Sequence, residues 1–257
     1  MKHHPDITVT ITFHREGQLA VPSLDSMRDL VLAASRSGLV VEARAMLDRA
    51  DDETRRLVAE RGAWLDDVQE VAYGDLGLSR NAGVSAARGN YLAFLDGDDL
   101  WGSEWLRLAF ASAQASSVEA IWHPEFLYYF TEGDFDRHSI NRIPHPHARS
   151  FHMRQVSSEE AGFVRDALFL NNIWTANVFV PRAIYDEHPY VAVDRNKGFG
   201  IEDWSWHIDT VWSNIPHLIV PNTVHMIRVK DGSLLGQQNA SEGLLPAIPL
   251  LALKQSG

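Results

Sequence analysis

Between Ile7 and Leu95 the hydrophobic pattern switches repeatedly between the period of a strand and the period of a helix, and few folds accommodate that alternation. Ile7, Val9, Ile11 and Phe13 alternate with Thr8, Thr10 and Thr12, which predicts a strand with β-branched residues on both faces. From Ser23, apolar residues recur at Leu24, Met27, Val31 and Ala34, a helix face that Gly38 can stop. Val40 to Leu47 predicts a second strand ending in Asp48, and Asp51 or Asp52 can cap a helix through Leu57 and Val58 to Gly62. Val68 to Tyr73 reads as a third strand, and Gly74 to Gly83 leads into a small-residue helix ending near Ala87. Tyr91 to Leu95 is an unbroken apolar run, the signature of a strand buried in the middle of a parallel sheet. Repeated β-α units of this kind imply right-handed crossovers and an α/β fold with a mostly parallel sheet flanked by helices.

The last of these strands runs into Asp96-Gly97-Asp98-Asp99. Three carboxylates at the tip of a buried strand repel one another unless something cationic sits there. A divalent metal, Mn²⁺ or Mg²⁺, is the simplest candidate, because such sites take one or two protein oxygens and leave the rest to water and a phosphate. Gly97 permits a sharp turn and a close approach. Ligands of open α/β sheets sit at the carboxyl ends of the strands, where these acids fall. The plain alternative is an acidic turn that caps the next helix. The chain has no Gly-x-x-x-x-Gly-Lys-Ser/Thr segment and no Gly-x-Gly-x-x-Gly after its first strand, which disfavours ordinary kinase and dinucleotide chemistry.

The formal net charge of -11 argues against a nucleic-acid surface, which needs a basic stripe, but leaves room for a nucleotide whose diphosphate a metal neutralises. With no cysteine, disulfides and thiolate metal sites are excluded. No apolar run follows Met-Lys-His-His-Pro-Asp, and no stretch is long enough to span a bilayer, so neither a signal peptide nor a transmembrane segment is expected. The expected location is cytoplasmic, with peripheral contact at the inner face of a membrane allowed. The proline-broken apolar segment at 244–253 is expected to pack on the core.

In the second half, a helix is expected from Ser103 as N-cap, with Trp105, Leu106, Ala109 and Ala113 inward. Ala120 to Phe130 reads as a strand, and residues 131–155 as a long polar loop. Ser157-Ser158-Glu159-Glu160 has the form of a capping box, predicting a helix to Leu170. Thr175 to Val180 predicts a strand stopped by Pro181. Lys197 to Ile201 reads as a flexible approach to Glu202-Asp203, which opens a helix at Trp204. His217 to Val220 and Thr223 to Val229 are expected as separate short strands either side of Pro221-Asn222, with a turn at Lys230 to Ser233. No clean linker appears. The economical reading is one domain, with a nucleotide-binding half at about 1–115 and an acceptor half at about 116–257.

Taken together, these segments resemble the family-2 glycosyltransferases of the GT-A fold. The likeness rests on Thr12-Phe13-His14-Arg15-Glu16 after the first strand and on Leu47-Asp48 ahead of Asp51-Asp52-Glu53-Thr54. It rests further on Gly77-Leu78-Ser79-Arg80-Asn81-Ala82-Gly83, on the run from Ala87 to Asp99, and on Glu202-Asp203-Trp204. It covers residues 7–110 well and 170–235 loosely. It departs from the family where a paired Asp-Asp is usual and Leu47-Asp48 stands, and where residues 131–155 match nothing.

The resemblance implies transfer of a sugar from a nucleoside diphosphate, a UDP-sugar favoured, to a hydroxyl of a glycan or lipid-linked acceptor, with inversion. It implies a metal at Asp98, with Asp96 on the ribose or sugar side and Gly97 between them. Asp203 is the implied general base, with Glu202 second. Thr12, Phe13, His14, Arg15 and Glu16 pack against base and ribose, and Asp48 accepts from a base N–H. Arg80 stands near base or phosphate, or is a structural ion-pair partner. His225 ligates the metal, contacts diphosphate or is structural, and Arg228 and Ser233 close over the diphosphate. Trp174 and Trp204 stack on a sugar ring or belong to the core. A metal-dependent nucleotidyltransferase and a non-catalytic nucleotide- or glycan-binding module remain as alternatives.

Overall fold

The structure, a computed structural model, describes residues 4–131, 150–192 and 202–230. The alternation expected between Ile7 and Leu95 is present. β1 (Ile7–Phe13), α1 (Ala20–Arg36), β2 (Val41–Asp48), α2 (Asp52–Arg61), β3 (Asp67–Val71), α3 (Leu76–Ala86) and β4 (Tyr91–Asp96) follow one another. The four strands lie side by side as β3-β2-β1-β4, parallel throughout. β1 is buried along its whole length, and its threonines need polar partners there. Thr8 finds one by donating to Glu42 Oε2 at 2.7 Å. Helix α1 starts ahead of Ser23 and buries Leu24, Met27, Leu30 and Ala34 against the strands. Asp51 caps α2 by accepting from the Thr54 N–H at 2.9 Å, a contact worth about 1 kcal/mol.

Register decides what meets at the sheet's carboxyl edge. Thr12 lies opposite both Met46 and Asp96, so β1, β2 and β4 end together. The loop at His14, the Asp48 carboxylate and the acidic tip therefore share one edge.

Beyond β4 the sheet continues with β5 (Leu100–Trp101), β6 (Ile121–Thr131), β7 (Phe151–Arg154), β8 (Phe179–Pro181) and β9 (His217–Val229). The order is β4-β8-β6-β9-β5, with β7 also along β6. β8 is antiparallel to β4 and β6, β9 is parallel to β6, and β5 and β7 are antiparallel to their partners. Helices α4 (Trp105–Ala115), α5 (Arg182–Glu187) and α6 (Glu202–Trp212) cover this part. One core lies between the sheet and α1 with α4, around Ile11, Leu24, Trp105 and Leu106. A second, around Phe94, Tyr185, Tyr190 and Trp206, fills the other face. None of the described helices is long and apolar enough to cross a membrane.

The second half departs from the sequence reading in several places. A two-residue strand, Leu100–Trp101, precedes α4, and Glu104 rather than Ser103 stands at the helix N-cap. Part of the expected long loop is β7, paired with β6; residues 132–149 lie outside the described residues. One of the two capping-box bonds forms, with Glu160 Oε1 accepting from the Ser157 N–H at 3.2 Å, while Ser157 Oγ accepts from the Glu159 N–H, and only a short 3-10 helix, Arg165–Phe169, follows. Ser157 Oγ and the Ser158 N–H both donate to the His217 carbonyl, so this segment is tied to β9 instead of starting a helix. Of the strand expected at Thr175 to Val180 only Phe179 and Val180 are paired, and Pro181, the expected stop, pairs with Tyr91. Ahead of Phe179, Asn177 Oδ1 accepts from Trp101 Nε1 at 2.6 Å. The two short strands expected after His217 are one, because Asn222 takes a positive φ of 62° where the pairing with β6 shifts register at Pro124/Phe126. Lys197 to Ile201, Ser233 and the apolar segment at 244–253 lie outside the described residues.

Candidate active site

Gly97 is glycine because β1 leaves no room for a side chain. A Cβ there would stand 2.4 Å from Phe13 Cδ1 and 2.7 Å from the Thr12 carbonyl oxygen. That approach brings Thr12 and Phe13 against the acidic tip, and the Asp99 N–H closes the turn on the Asp96 carbonyl at 3.1 Å. From this turn the three carboxylates diverge, each to a different partner. Asp96 Oδ1 accepts from Arg80 at 2.7 Å. Asp98 Oδ2 lies 2.7 Å from Lys230 Nζ. Asp99 turns inward, accepting from the Arg228 N–H at 2.9 Å and lying 3.0 Å from His225 Nε2. Burial pushes the Asp99 carboxyl up to about 6, with the hydrogen bond and charge of His225 opposing.

Arg80 is brought to the centre by α3, with 1% of its surface exposed. It donates through one nitrogen to Asp96 and through another to Glu202 Oε1 at 2.5 Å, and its guanidinium lies 5.5 Å from the Tyr190 ring centre. Burial alone would favour loss of its proton, but Asp96 and Glu202 hold it charged. Burial raises Glu202, and Arg80 counteracts the rise.

Asp203, the next residue on α6, has its Oδ1 on the Trp204 N–H at 2.8 Å and its Oδ2 3.3 Å from Asn172 Nδ2. Burial first, then repulsion by Glu202 and Asp96, pushes its carboxyl up to about 7, against the pull of Arg80. A carboxylate that titrates near neutral pH is suited to take a proton from a hydroxyl.

The loop after β1 is folded back on β2. His14 Nδ1 donates to the Asp48 carbonyl at 2.6 Å, and the His14 N–H donates to Glu16 Oε2 at 2.5 Å. Burial raises Glu16, and the nearby Asp98 adds to the rise. Arg15 is exposed at this rim. Thr12 Oγ1 is buried with no hydrogen-bond partner among the described residues.

This geometry bears on three of the site readings. Asp48 is not an open carboxylate awaiting a base. Its oxygens accept from the Gly74 and Asp75 N–H groups at 2.8 and 3.2 Å and from Ser79 Oγ at 2.7 Å, which shapes the start of α3. Of the two readings given for Arg80, the buried ion-pair partner is the one this geometry matches. His225 is not free to ligate a metal over Asp98, because it is 3% exposed, faces Asp99 through Nε2 and lies 3.3 Å from Thr175 Oγ1 through Nδ1. Trp174 belongs to the core, stacked on His123 and His217, and Trp204 Nε1 donates to the Leu168 carbonyl at 2.5 Å. Arg228 does reach the tip, with Nε donating to the Asp98 carbonyl at 3.0 Å. Lys230, read from sequence only as a turn residue, and Asn172, which carried no sequence signal, both join the site.

Among the described residues no three His, Asp or Glu side chains converge as a ready metal cage. The donor chemistry still fits a hard divalent cation. Asp98 is one carboxylate at a strand tip, Mg²⁺ and Mn²⁺ need only one or two from protein, and the Lys230 ammonium already marks the spot as a cation position.

The comparisons with known proteins agree with this architecture. The model of glycosyl transferase family 2 matches residues 8–170, more than half of the chain. No curated protein matches the sequence. The chain is similar to S. aureus TarS 1-349 in complex with UDP-GlcNAc, with 13% identity over 90% of this chain and 60% of that one and a TM-score of 0.59. It is similar to the mannosyltransferase PcManGT from Pyrobaculum calidifontis in complex with GDP-Man and Mn²⁺, at 14% identity over 93% and 62% of the two chains, TM-score 0.60. It is also similar to glucosyl-3-phosphoglycerate synthase from Mycobacterium tuberculosis in complex with Mn²⁺, UDP and phosphoglyceric acid, at 13% identity over 92% and 74%, TM-score 0.55. At these identities the likeness is one of fold, and the chain spans about 60% of the length of the TarS chain.

Proposed function

This chain belongs to glycosyl transferase family 2, and from that premise we propose that it moves a sugar from a nucleoside-diphosphate sugar, a UDP-sugar favoured, to a hydroxyl of a glycan or lipid-linked acceptor, with inversion. The observation that carries the reading is the Arg80 bridge, which ties the acidic tip of β4 to the Glu202-Asp203 start of α6. One end of that bridge suits a diphosphate with its cation, and the other suits an acceptor hydroxyl. A divalent cation bound through Asp98 would neutralise the departing diphosphate as a Lewis acid. Asp96 lies on the sugar side of the tip, and Arg228 and Lys230 supply further positive charge beside the diphosphate. The rim of Thr12, Phe13, His14, Arg15 and Glu16 packs on the nucleoside. Asp203 is the base. It takes the acceptor hydroxyl proton as the acceptor oxygen bonds to the anomeric carbon, and the bond from that carbon to the diphosphate oxygen breaks. Glu202 serves through its pairing with Arg80.

The neighbours in complex with UDP-GlcNAc, with GDP-Man and with UDP support a nucleotide-sugar donor, and those with Mn²⁺ support the cation. We read the whole chain as one domain with a nucleotide half and an acceptor half. Calorimetric titration of UDP, GDP, dTDP and CDP, with Mn²⁺ and with EDTA, tests the donor site. Binding of one diphosphate only with Mn²⁺, and its loss in Asp98→Ala, supports the reading. No binding of any diphosphate overturns it. The anomeric configuration of the product, read by NMR, then tests inversion.

A further inference from the structure

We propose that Asn172 is a positioning residue for Asp203, and that His207 fixes the orientation in which it works. The proposal deepens the reading of Asp203 as base and rests on it. Asp203 and His207 are one turn apart on α6, and Asn172, from the segment before β8, spans the two. His207 Nδ1 lies 3.1 Å from Asn172 Oδ1, and Asn172 Nδ2 lies 3.3 Å from Asp203 Oδ2.

The chemistry of the three groups sets the direction of this chain. His207 is fully buried, and burial followed by the charge of Arg80 pushes its imidazole down to about 3, so the ring is neutral. A neutral ring holds one proton, and among the described residues Nδ1 meets the amide oxygen of Asn172 while the buried Nε2 meets no hydrogen-bond partner. With the proton on Nδ1, the amide oxygen is held toward His207 and the amide N–H₂ is turned to the carboxylate. The reverse orientation would set an amide oxygen against Asp203 and lose the bond to the ring. The ring itself cannot swing, since it is wedged edge-on to Trp174, His123, Trp206 and His217. His217 is tied in turn to His123 at 2.8 Å and to Thr210 Oγ1 at 2.9 Å. The buried histidine cluster behind α6 therefore acts as the mount for one hydrogen bond to the base.

That bond favours the ionised carboxylate. The other groups facing Asp203 are Glu202 on its own helix, Arg80 on α3, Asp96 at the tip of β4, Tyr129 on β6 and Tyr190. Burial raises both tyrosines, which stay neutral through the range in which Asp203 titrates. Arg80 and the Trp204 N–H favour the charged form as Asn172 does, and removing Asn172 leaves desolvation and two acids less opposed.

The test is an NMR titration of the full chain carrying ¹³C-carboxyl aspartate, with the Asp203 signal assigned from its absence in Asp203→Asn. The expected midpoint is about 7 in the parent chain. Asn172→Ala should raise it by about 0.5 to 1 pH unit. His207→Phe, which keeps a ring but removes the donor, should raise it in the same direction by less. An unchanged midpoint in a folded Asn172→Ala overturns the proposal, and if that variant does not fold, an unchanged midpoint in His207→Phe does so. Retention of sugar transfer by Asp203→Asn would instead overturn the base reading, and the titration would still report whether Asn172 holds the carboxylate.

Discussion

Arg80 and Glu202 stand 122 residues apart in the chain and meet at 2.5 Å in the interior, with Asp96 on the other side of the same guanidinium. Gly77, one turn before Arg80 on α3, allows the approach, since a Cβ there would lie 3.2 Å from Glu202 Cβ. The two halves of the site are therefore one electrostatic unit, and a change at either end is felt at the other.

Removing the bridge leaves the buried Glu202 and the partly exposed Asp96 without their cation. Arg80→Met should destabilise the fold by roughly 3–5 kcal/mol, the usual cost of stripping one partner from a buried pair. Urea unfolding followed by circular dichroism measures it. Arg80→Met combined with Glu202→Gln should lose less than the sum of the two single changes, because the second removes the charge the first left stranded. Strict additivity would mean that the pairing is not energetically coupled.

Turnover should follow the ionisation of Asp203. The carboxylate form is the base, so kcat/KM should fall tenfold per unit as pH drops below about 7. A rate that is flat from pH 5 to 8 would assign the proton to another group.

Asp203→Asn should lower sugar transfer by about 100-fold or more while leaving UDP binding intact. The same change should stabilise the protein at alkaline pH. Folded Asp203 holds its proton up to about 7, whereas the ordinary value is 3.8, so stability is highest below the ordinary value and falls as pH rises toward 7. Asparagine never ionises and escapes that loss. The melting temperature of Asp203→Asn should exceed that of the parent by about 3 °C or more at pH 8 and match it near pH 3.

Lys230 competes with a metal for Asp98. Lys230→Ala should tighten Mn²⁺ binding in the absence of nucleotide by about two- to fivefold, a modest gain because the lysine is partly exposed. Asp98→Ala should abolish it. Electron paramagnetic resonance of free Mn²⁺ reads both, and weaker binding in Lys230→Ala would show that the lysine supports the cation site.

Gly97→Ala should strain the tip against Phe13 and the Thr12 carbonyl. The expected cost is about 1–3 kcal/mol in chemical denaturation, with weaker UDP binding than in the parent chain.

The parallel half of the fold was legible because its signals are local. The alternation in Ile7–Phe13, the helical spacing from Leu24 to Ala34 and the apolar run Tyr91 to Leu95 each report burial by neighbours only a turn or a strand away. Asp51 as a cap and Gly97 as a turn were likewise written in short stretches. What failed was local signal overruled at a distance. The capping box at Ser157 formed one of its two hydrogen bonds, but the His217 carbonyl, 60 residues on, claimed the same serine and no α-helix followed. Asp48 was read from its place at the end of β2, while the loop that consumes its oxygens comes from Gly74 to Ser79. The sequence by itself determined that acids stand at a strand tip and at a helix start, since composition and order carry that information. Only the tertiary structure decided how their charge is shared, because Arg80, Asn172 and the His225 to Lys230 stretch come from three separate segments, and a carboxylate's proton affinity depends on what surrounds it in space.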